Sequence, residues 1–199
     1  MYNLLLDSSD SKLSIGISNE NEILYSNSFY AWQRQSEYMI PEIEKALNVL
    51  NLSLKDISKV VLGIGPGSYT GVRIPLSIAK TMNIANNVEI VPVSSLKILG
   101  TNEEKYIALM NARSARSYIG IYCYGQEILK DQVIENNKID DLIQQYLKEG
   151  YVIKGDVDYL DLQDSRTNIV EGLFSYQNSN VCDNPMALCP VYLKDNYGN

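Results

Sequence analysis

The amino-acid sequence predicts an α/β protein of two lobes, each with the element order β-β-β-α-β. Segments with strand and helix periodicity occur in this order twice along the chain. Of the 199 residues, 45% are apolar and 21% are charged, which is typical of a folded domain with a packed core. The second series starts after a glycine at position 100. We therefore expect one lobe over residues 1–100 and a smaller, truncated lobe over residues 101–199.

The first lobe is predicted to begin with three strands. Tyr2–Asp7 has the short apolar run of a buried strand, and Lys12–Ser18 alternates with the period of a half-buried one. A third strand is expected over residues 22–29. The Asp- and Ser-rich residues between the first two strands form a turn. Three strands with short links predict an antiparallel meander.

Helix and strand patterns follow this meander. Apolar residues recur at helical spacing over residues 36–50, where Pro41 lies either in the first turn of the helix or at a kink. The elements expected next are a strand over residues 56–64, a loop over 65–71, a helix over 72–85 and a buried parallel strand at Glu89–Val93.

The same order returns in the second half of the chain. The expected elements are strands over residues 105–110, 116–124 and 127–135, an amphipathic helix at Ile139–Lys148 and a strand over 151–154. Past Gly155 the chain is rich in Asp and Asn, with only short apolar pieces. A duplicated β-β-β-α-β unit is the signature of the actin-like, sugar-kinase-like architecture, in which two lobes flank a nucleotide cleft.

Charge and composition exclude several classes of function. The net charge is -7 and no Lys/Arg cluster is present, whereas proteins that grip nucleic acid unaided carry a basic footprint. Any role in RNA chemistry must therefore pass through a partner. The chain has no histidine, which removes Ser-His and Cys-His catalysis and every His-containing metal site. No metal site is predicted, but carboxylate- and Lys-based mechanisms remain open.

The cysteines and apolar runs indicate a cytoplasmic protein. Cys123, Cys182 and Cys189 are odd in number and have no CxxC spacing, so we expect reduced thiols. No apolar run is long enough to span a bilayer, and the first residues lack the pattern of a secretory signal. We expect no contact with a membrane.

The most distinctive motif is the glycine-rich loop GPGSYTGVR at residues 65–73. It follows a strand and opens a helix, where free N–H groups and the helix dipole favour an anion. Its glycines allow close backbone approach, and one of its hydroxyl residues can cap the helix. The residues assigned to such a phosphate loop are Gly65, Gly67, Ser68, Thr70 and Gly71. A tight strand-to-helix turn without a ligand fits the same pattern equally well.

The longer segment GPGSYTGVRIPLSIAKTM, at residues 65–82, resembles the hallmark of the TsaB (YeaZ) family, in which Phe replaces Tyr69 and Gly replaces Pro75. Other segments resemble the family in the same order along the chain. They are residues 4–9 (LLLDSS), Ser36-Glu37 with Ile40-Pro41, Asn111-Ala112-Arg113 with Tyr118, and Pro190 to Lys194. The chain departs from the family where Gln35 replaces a histidine, Asn111 an aspartate and Arg116 a glutamate.

This resemblance implies a non-catalytic scaffold subunit. Members of the family pair with TsaD, a larger paralogue that carries the metal, and with the ATPase TsaE. Together they transfer a threonylcarbamoyl group to the adenosine beside the anticodon in tRNAs that read ANN codons. The resemblance implies a heterodimer with TsaD, a homodimer when TsaD is absent, tRNA contact only through the complex, and no cofactor beyond weak ATP or ADP binding at the shared complex.

The resemblance also implies a degenerate nucleotide cleft, and we assign Asp7 and Ser8 to its phosphate loop together with the residues of the glycine-rich motif. Asp7 lies where actin-like kinases keep a carboxylate that faces Mg²⁺ through water. In the interpretation that we favour, its side chain caps the turn at the end of the first strand. Arg73 and Arg113 each suit either an anion clamp or a structural ion pair, and both interpretations stay open.

The two predicted helices over residues 36–50 and 72–85 carry apolar residues outside the single stripe that would face the core. We assign to the outward face Tyr38, Val49, Arg73, Leu76 and Ala79. Such residues are either a partner interface or ordinary scattered surface residues. The family uses these two helices for its contact with TsaD, which favours the interface.

Two enzymatic alternatives remain. An ATP-dependent small-molecule kinase of the same superfold would need a carboxylate base and an adenosine pocket in the second lobe. The weak pattern after Gly155 argues against that pocket. A peptidase is the least supported function, because the chain has neither histidine nor a plausible Ser/Lys dyad.

Overall fold

A computed structural model of the protein describes residues 1–163, 165 and 167–193. The strands are β1 (Tyr2–Asp7), β2 (Lys12–Ser18), β3 (Ile23–Tyr30), β4 (Ile57–Gly63), β5 (Glu89–Val93), β6 (Lys105–Arg113), β7 (Arg116–Cys123), β8 (Gln126–Glu135) and β9 (Val152–Gly155). The helices are α1 (Gln35–Val49), α2 (Tyr69–Asn86), α3 (Ser95–Leu99), α4 (Ile139–Lys148) and α5 (Ile169–Ser175). Lys194, the end of the closing family-like segment, lies outside the described residues.

The two sheets repeat one topology. The first has the strand order β3-β2-β1-β4-β5, and the second has the order β8-β7-β6-β9. In each sheet the opening strand pairs antiparallel with the next strand and parallel with the strand that follows the helix. The first four strands of one sheet therefore match the four strands of the other. This confirms the predicted duplication and the truncated second unit.

Helices cover both faces of each sheet. Leu4 and Leu6 of β1 face α1 and α2, whereas Leu5 faces a central core that also holds residues of α3, α5 and the second sheet. On β6, Ala108 faces this central core and Ile107 faces α4. Burial on both faces explains why these strands are nearly continuous apolar runs.

The helix bounds depart from prediction in several places. Pro41 lies inside α1, past its first turn, and α2 begins at Tyr69, three residues before the predicted start. Neither α3 nor α5 was predicted, because each is shorter than the window over which helical periodicity becomes visible. The helix α4 has the predicted bounds.

The chain returns to the first lobe near its end. α5 packs against β1, β2, β3 and β4 of the first sheet and against α3. Beyond α5, the N–H of Cys182 donates to the carbonyl of Ile90 on β5 at 2.8 Å. The predicted boundary at residue 100 does separate the strands of the two sheets along the chain. As a boundary between two lobes it stays a prediction.

Candidate functional site

A cleft of about 480 Å³ opens between the two lobes. Its first-lobe wall comes from the β1–β2 turn, the residue Trp32 and the start of α2; its second-lobe wall comes from the end of β6. Of the predicted residues, this cleft is lined by Gly67, Ser68, Thr70 and Arg113. Asp7, Ser8, Gly65 and Gly71 lie beneath this surface, packed against other parts of the chain.

The glycines of the loop accommodate the protein's own backbone. A Cβ on Gly67 would overlap the carbonyl oxygen of Ser9, and a Cβ on Gly71 would overlap that of Ser8. A Cβ on Gly65 would lie 2.5 Å from the carbonyl oxygen of Val191. The close approach that the sequence predicts is therefore made by the β1–β2 turn and by the C-terminal segment, and it accounts for these glycines without a ligand.

Hydrogen bonds fix the loop in this position. The N–H of Ser68 donates to the carbonyl of Ser9 at 2.7 Å, and the hydroxyl of Ser8 donates to the carbonyl of Gly71 at 2.7 Å. The hydroxyl of Ser68 accepts the N–H of Gly71 at 3.2 Å and so caps α2. Among the hydroxyl residues of the loop, Ser68 is therefore the cap, and Thr70 lies in the first turn of the helix.

Asp7 is buried at the carboxyl end of β1. Its Oδ1 accepts the N–H of Ser9 at 3.1 Å and the hydroxyl of Ser9 at 3.0 Å, which is the turn-capping contact favoured above. Its Oδ2 has no hydrogen-bond partner among the described residues. Burial, followed by the nearby charge of Asp10, raises the pKa of Asp7 to about 7. Within the described part of the chain, no three acidic or Cys side chains come together as a metal site.

The two arginines considered as anion clamps both stack on aromatic rings. Arg113 places its guanidinium 4.6 Å from the ring centre of Trp32, across the cleft from the second lobe to the first. Arg73 lies 3.8 Å from the ring centre of Tyr69, and its Nε donates to the hydroxyl of Tyr192 at 2.5 Å. The contact between Trp32 and Arg113 was not predicted from the sequence. Trp32 is the single tryptophan of the chain, and this was the one feature that could have marked it as a candidate.

A half-buried carboxylate also joins the lobes. Asp131 on β8 accepts hydrogen bonds from the hydroxyls of Ser94 and Tyr122. Ser94 also caps α3, since its hydroxyl accepts N–H groups from the first turn of that helix. Burial raises the pKa of Asp131, whereas its two hydroxyl donors lower it. No local pattern reveals this contact, because it joins residues far apart in sequence.

An apolar groove of about 650 Å³ lies between α1 and α2. Its lining comprises Ile40, Ile43, Glu44, Leu47, Asn48, Leu52, Ser53, Leu54, Ser77, Ile78, Thr81 and Met82. Ile40 is 56% exposed and Val49, near the end of α1, is 60% exposed. Tyr38 is half-buried, with its ring centre 5.7 Å from that of Phe29. Val49 is therefore outward as predicted.

The prediction for Leu76 and Ala79 is wrong. Leu76 is 4% exposed and Ala79 is fully buried, and both belong to the core beneath α1 and α2. The buried stripe of α2 runs through Val72, Leu76 and Ala79 at helical spacing, so the predicted stripe had the wrong phase. The outward face of α2 instead carries residues such as Ile84, which is 74% exposed.

Within the described ranges of the chain, no helix has the length and apolar character that crossing a membrane requires. The three cysteines have free thiols, as predicted.

Residues 30–182 match the family model described as "TsaD: tRNA N6-adenosine threonylcarbamoyltransferase". The chain is 33% identical over 138 residues to the tRNA threonylcarbamoyladenosine biosynthesis protein TsaB of Bacillus subtilis. The chain belongs to the TsaB (YeaZ) family. The family expected from the glycine loop and the other matching segments is therefore confirmed, and it is a family of tRNA threonylcarbamoyladenosine biosynthesis proteins.

Further TsaB relatives agree in sequence and fold. The alignment with the Bacillus protein covers 67% of this chain and 60% of that relative. TsaB of Buchnera aphidicola subsp. Schizaphis graminum is 27% identical over 164 residues, which cover 77% of each protein. The solved structure of YeaZ from Pseudomonas aeruginosa matches with a TM-score of 0.76 over 96% of this chain and 99% of that one, at 20% identity. The predicted actin-like fold is confirmed.

Proposed function

We propose that this TsaB-family chain is a non-catalytic scaffold subunit that binds a TsaD-type transferase through α1 and α2. In this role it acts in the cytoplasm, together with TsaE, in threonylcarbamoyl transfer to tRNA. It holds no cofactor of its own, and weak ATP or ADP binding belongs to the shared complex. Alone, it pairs with a second copy through the same face.

The observation that carries the proposal is the groove between α1 and α2. Its lining is mostly apolar and includes the exposed side chains of Ile40 and Leu54. Grouped exposed apolar side chains with a polar rim are typical of a protein interface, whereas scattered ones are not. Glu44, Asn48 and Thr81 supply that rim. In this proposal the groove receives a helix pair of a partner with the same fold.

The features of the interlobe cleft support a non-catalytic role. Gly65, Gly67 and Gly71 are packed against the chain's own carbonyl groups, so these glycines are accounted for without a bound phosphate. Asp7 is sealed beneath the surface, with one oxygen committed to Ser9. The absence of histidine removes the commonest general acid–base group.

A pair of isoleucines tests the contact. Ile40 lies in the groove, whereas Ile84 lies on the same helix pair but outside the groove. Ile40→Glu should bury an unpaired carboxylate in the complex, at a cost of several kcal/mol, and leave it solvated in the free chain. At about 1.4 kcal/mol per decade, binding to purified TsaD should weaken about a hundredfold or more. Isothermal titration calorimetry measures the affinity.

The control is the same substitution at the second site. Ile84→Glu should retain the affinity of the parent, and both variants should keep its melting temperature, because both side chains are exposed. If Ile40→Glu binds TsaD as tightly as the parent does, the groove is not the contact. Equal loss in both variants would assign the contact to the whole outer face of the helices instead.

A further inference from the structure

The C-terminal strap, residues 183–193, runs from the edge of the first sheet to the interlobe cleft. It starts after Cys182, which is hydrogen-bonded to β5. Further along, the N–H of Val191 donates to the carbonyl of Ile64 at 2.8 Å, next to the glycine loop. Leu193 then packs against the central core between the two sheets. The strap therefore ends between the lobes.

The strap forms part of the cleft wall. The ring of Tyr192 lines the cleft and stacks on that of Tyr69, with centres 5.1 Å apart and planes at 25°. The guanidinium of Arg73 packs against both rings. One layer of side chains thus joins the strap to the first turn of α2.

The glycine loop is shaped for the strap. Gly65 has φ +108°, a backbone conformation that L side chains rarely adopt, and its Cα faces the carbonyl of Val191. A residue with a side chain at position 65 would be strained and would push the strap away. The closed position is therefore specific.

The strap is nevertheless held mainly by partly exposed groups: Leu188 packs against the core of the first sheet, and Lys80 donates to the carbonyl of Met186 at 3.0 Å. No residue between positions 181 and 193 is fully buried, and Tyr192 is 42% exposed. Among the described residues, the bond from Val191 to Ile64 is the one backbone hydrogen bond that ties 183–193 to another part of the chain. Segments with few buried contacts and exposed hydrogen bonds open locally, at a lower free energy than the whole domain.

We propose that residues 183–193 form a lid on the interlobe cleft, which opens while both lobes stay folded. The closed lid holds Tyr192 in the wall of the cleft. The open lid releases Tyr192 from Tyr69 and Arg73 and uncovers the cleft beside the first turn of α2. Because Arg73 lies on α2, the lid also links the cleft to one of the two helices of the proposed partner face.

Hydrogen exchange of the full chain, followed by mass spectrometry, tests the lid. The amide of Val191 should exchange faster than that of Leu5, which is buried in β1, and its exchange should be insensitive to low denaturant. Tyr192→Ala should speed exchange at Val191 on the order of tenfold, the change expected when about 1.4 kcal/mol of contact is lost. The matched control is Tyr124→Ala, since Tyr124 is 68% exposed and its hydroxyl donates to Glu104 at 2.9 Å.

The solvent access of the cleft is monitored by the fluorescence of Trp32, which is the single tryptophan of the chain and lines the cleft. Tyr192→Ala should increase the quenching of Trp32 fluorescence by acrylamide, and Tyr124→Ala should not. Exchange at Val191 no faster than at Leu5 would overturn the proposal, because the strap would then open only with the whole fold. Faster exchange in Tyr192→Ala with unchanged quenching of Trp32 would overturn it as well, since the strap would not cover the cleft.

Discussion

The carboxylate oxygen Oδ2 of Asp7 lies against the Cα of Gly63, so that a Cβ at position 63 would overlap it. The two residues end the neighbouring parallel strands β1 and β4. A Cβ there would also lie 3.0 Å from the hydroxyl oxygen of Ser95. The absent side chain at Gly63 therefore makes the space for a carboxyl group that is buried without a partner for this oxygen among the described residues.

This burial predicts a pH-dependent stability that passes through Asp7. Its pKa is about 7 in the folded state, above the ordinary value of 3.8, so the folded protein binds this proton more tightly than the unfolded chain does. The stabilising contribution is full below about pH 4 and is lost as the pH rises through about 7. A shift of this size corresponds to a loss on the order of 4 kcal/mol once the group is fully ionised.

The variant that isolates this effect is Asp7→Asn, which keeps an oxygen for Ser9 and cannot ionise. We expect the stability of the variant relative to the parent to be higher at pH 8.5 than at pH 5, as measured by urea unfolding at both values. Only the difference between parent and variant is diagnostic, because other groups titrate in both proteins. Parallel stability curves across this range would show that Asp7 does not carry the charge penalty.

The glycine loop gives a second prediction, about packing. In Gly71→Ala the new Cβ meets the backbone carbonyl of Ser8, which cannot move aside as a side chain would. We expect a loss of about 2–4 kcal/mol in the free energy of unfolding. The comparison is Gly125→Ala, where φ is +75° but no atom of the described residues beyond its two chain neighbours lies within 4 Å of the added Cβ, and where about 1 kcal/mol of backbone strain is expected. Equal losses at the two positions would mean that the contact with Ser8 relaxes freely.

Most of the fold could be predicted from periodicity, because the strands β1 and β2 and the helix α4 have strong single-face or buried patterns. The face of α2 could not be predicted as well. This helix packs on the sheet and also on α1, so its apolar residues exceed one stripe, and choosing the wrong phase moved Leu76 and Ala79 outward. Short helices such as α5 carry too few turns for any period to be visible.

The site was predictable only where it is local in sequence. The glycine loop and its Ser68 cap lie within one motif; the loop was found, and Ser68 was one of two candidate caps. The partners of this loop come from elsewhere: Ser9 precedes it by more than fifty residues, and Val191 follows it by more than a hundred. Which glycine meets which carbonyl is decided by tertiary packing, and a Gly-rich turn looks the same whether it faces a phosphate or another part of its own chain.

A third prediction concerns tRNA. The net charge of -7 and the absence of a basic cluster leave few phosphate contacts for the isolated chain, and such contacts supply most of non-specific affinity. We expect a dissociation constant weaker than about 1 μM at physiological salt, by filter binding with full-length tRNA. The same filter-binding measurement with purified TsaD added is the positive control. Submicromolar affinity of the chain alone would place an RNA-binding surface on this subunit.

The last prediction separates the scaffold from a kinase of the same superfold. The glycines of the loop that would cradle phosphates pack against the carbonyl groups of Ser8, Ser9 and Val191, and the carboxylate that would face a metal is buried beside Gly63. We therefore expect the purified chain, with ATP and Mg²⁺, to release phosphate at no more than the background rate of a mock preparation. Because a trace of contaminating ATPase gives the same signal, the measurement includes Asp7→Asn, purified in parallel.

Phosphate release that survives extensive purification of the parent and disappears in a folded Asp7→Asn would mean that Asp7 reaches a metal in an open state. The kinase would then replace the scaffold as the function. Release that is equal in the two preparations comes from a contaminant, because this substitution removes the carboxylate that actin-like phosphoryl transfer requires at the end of the first strand.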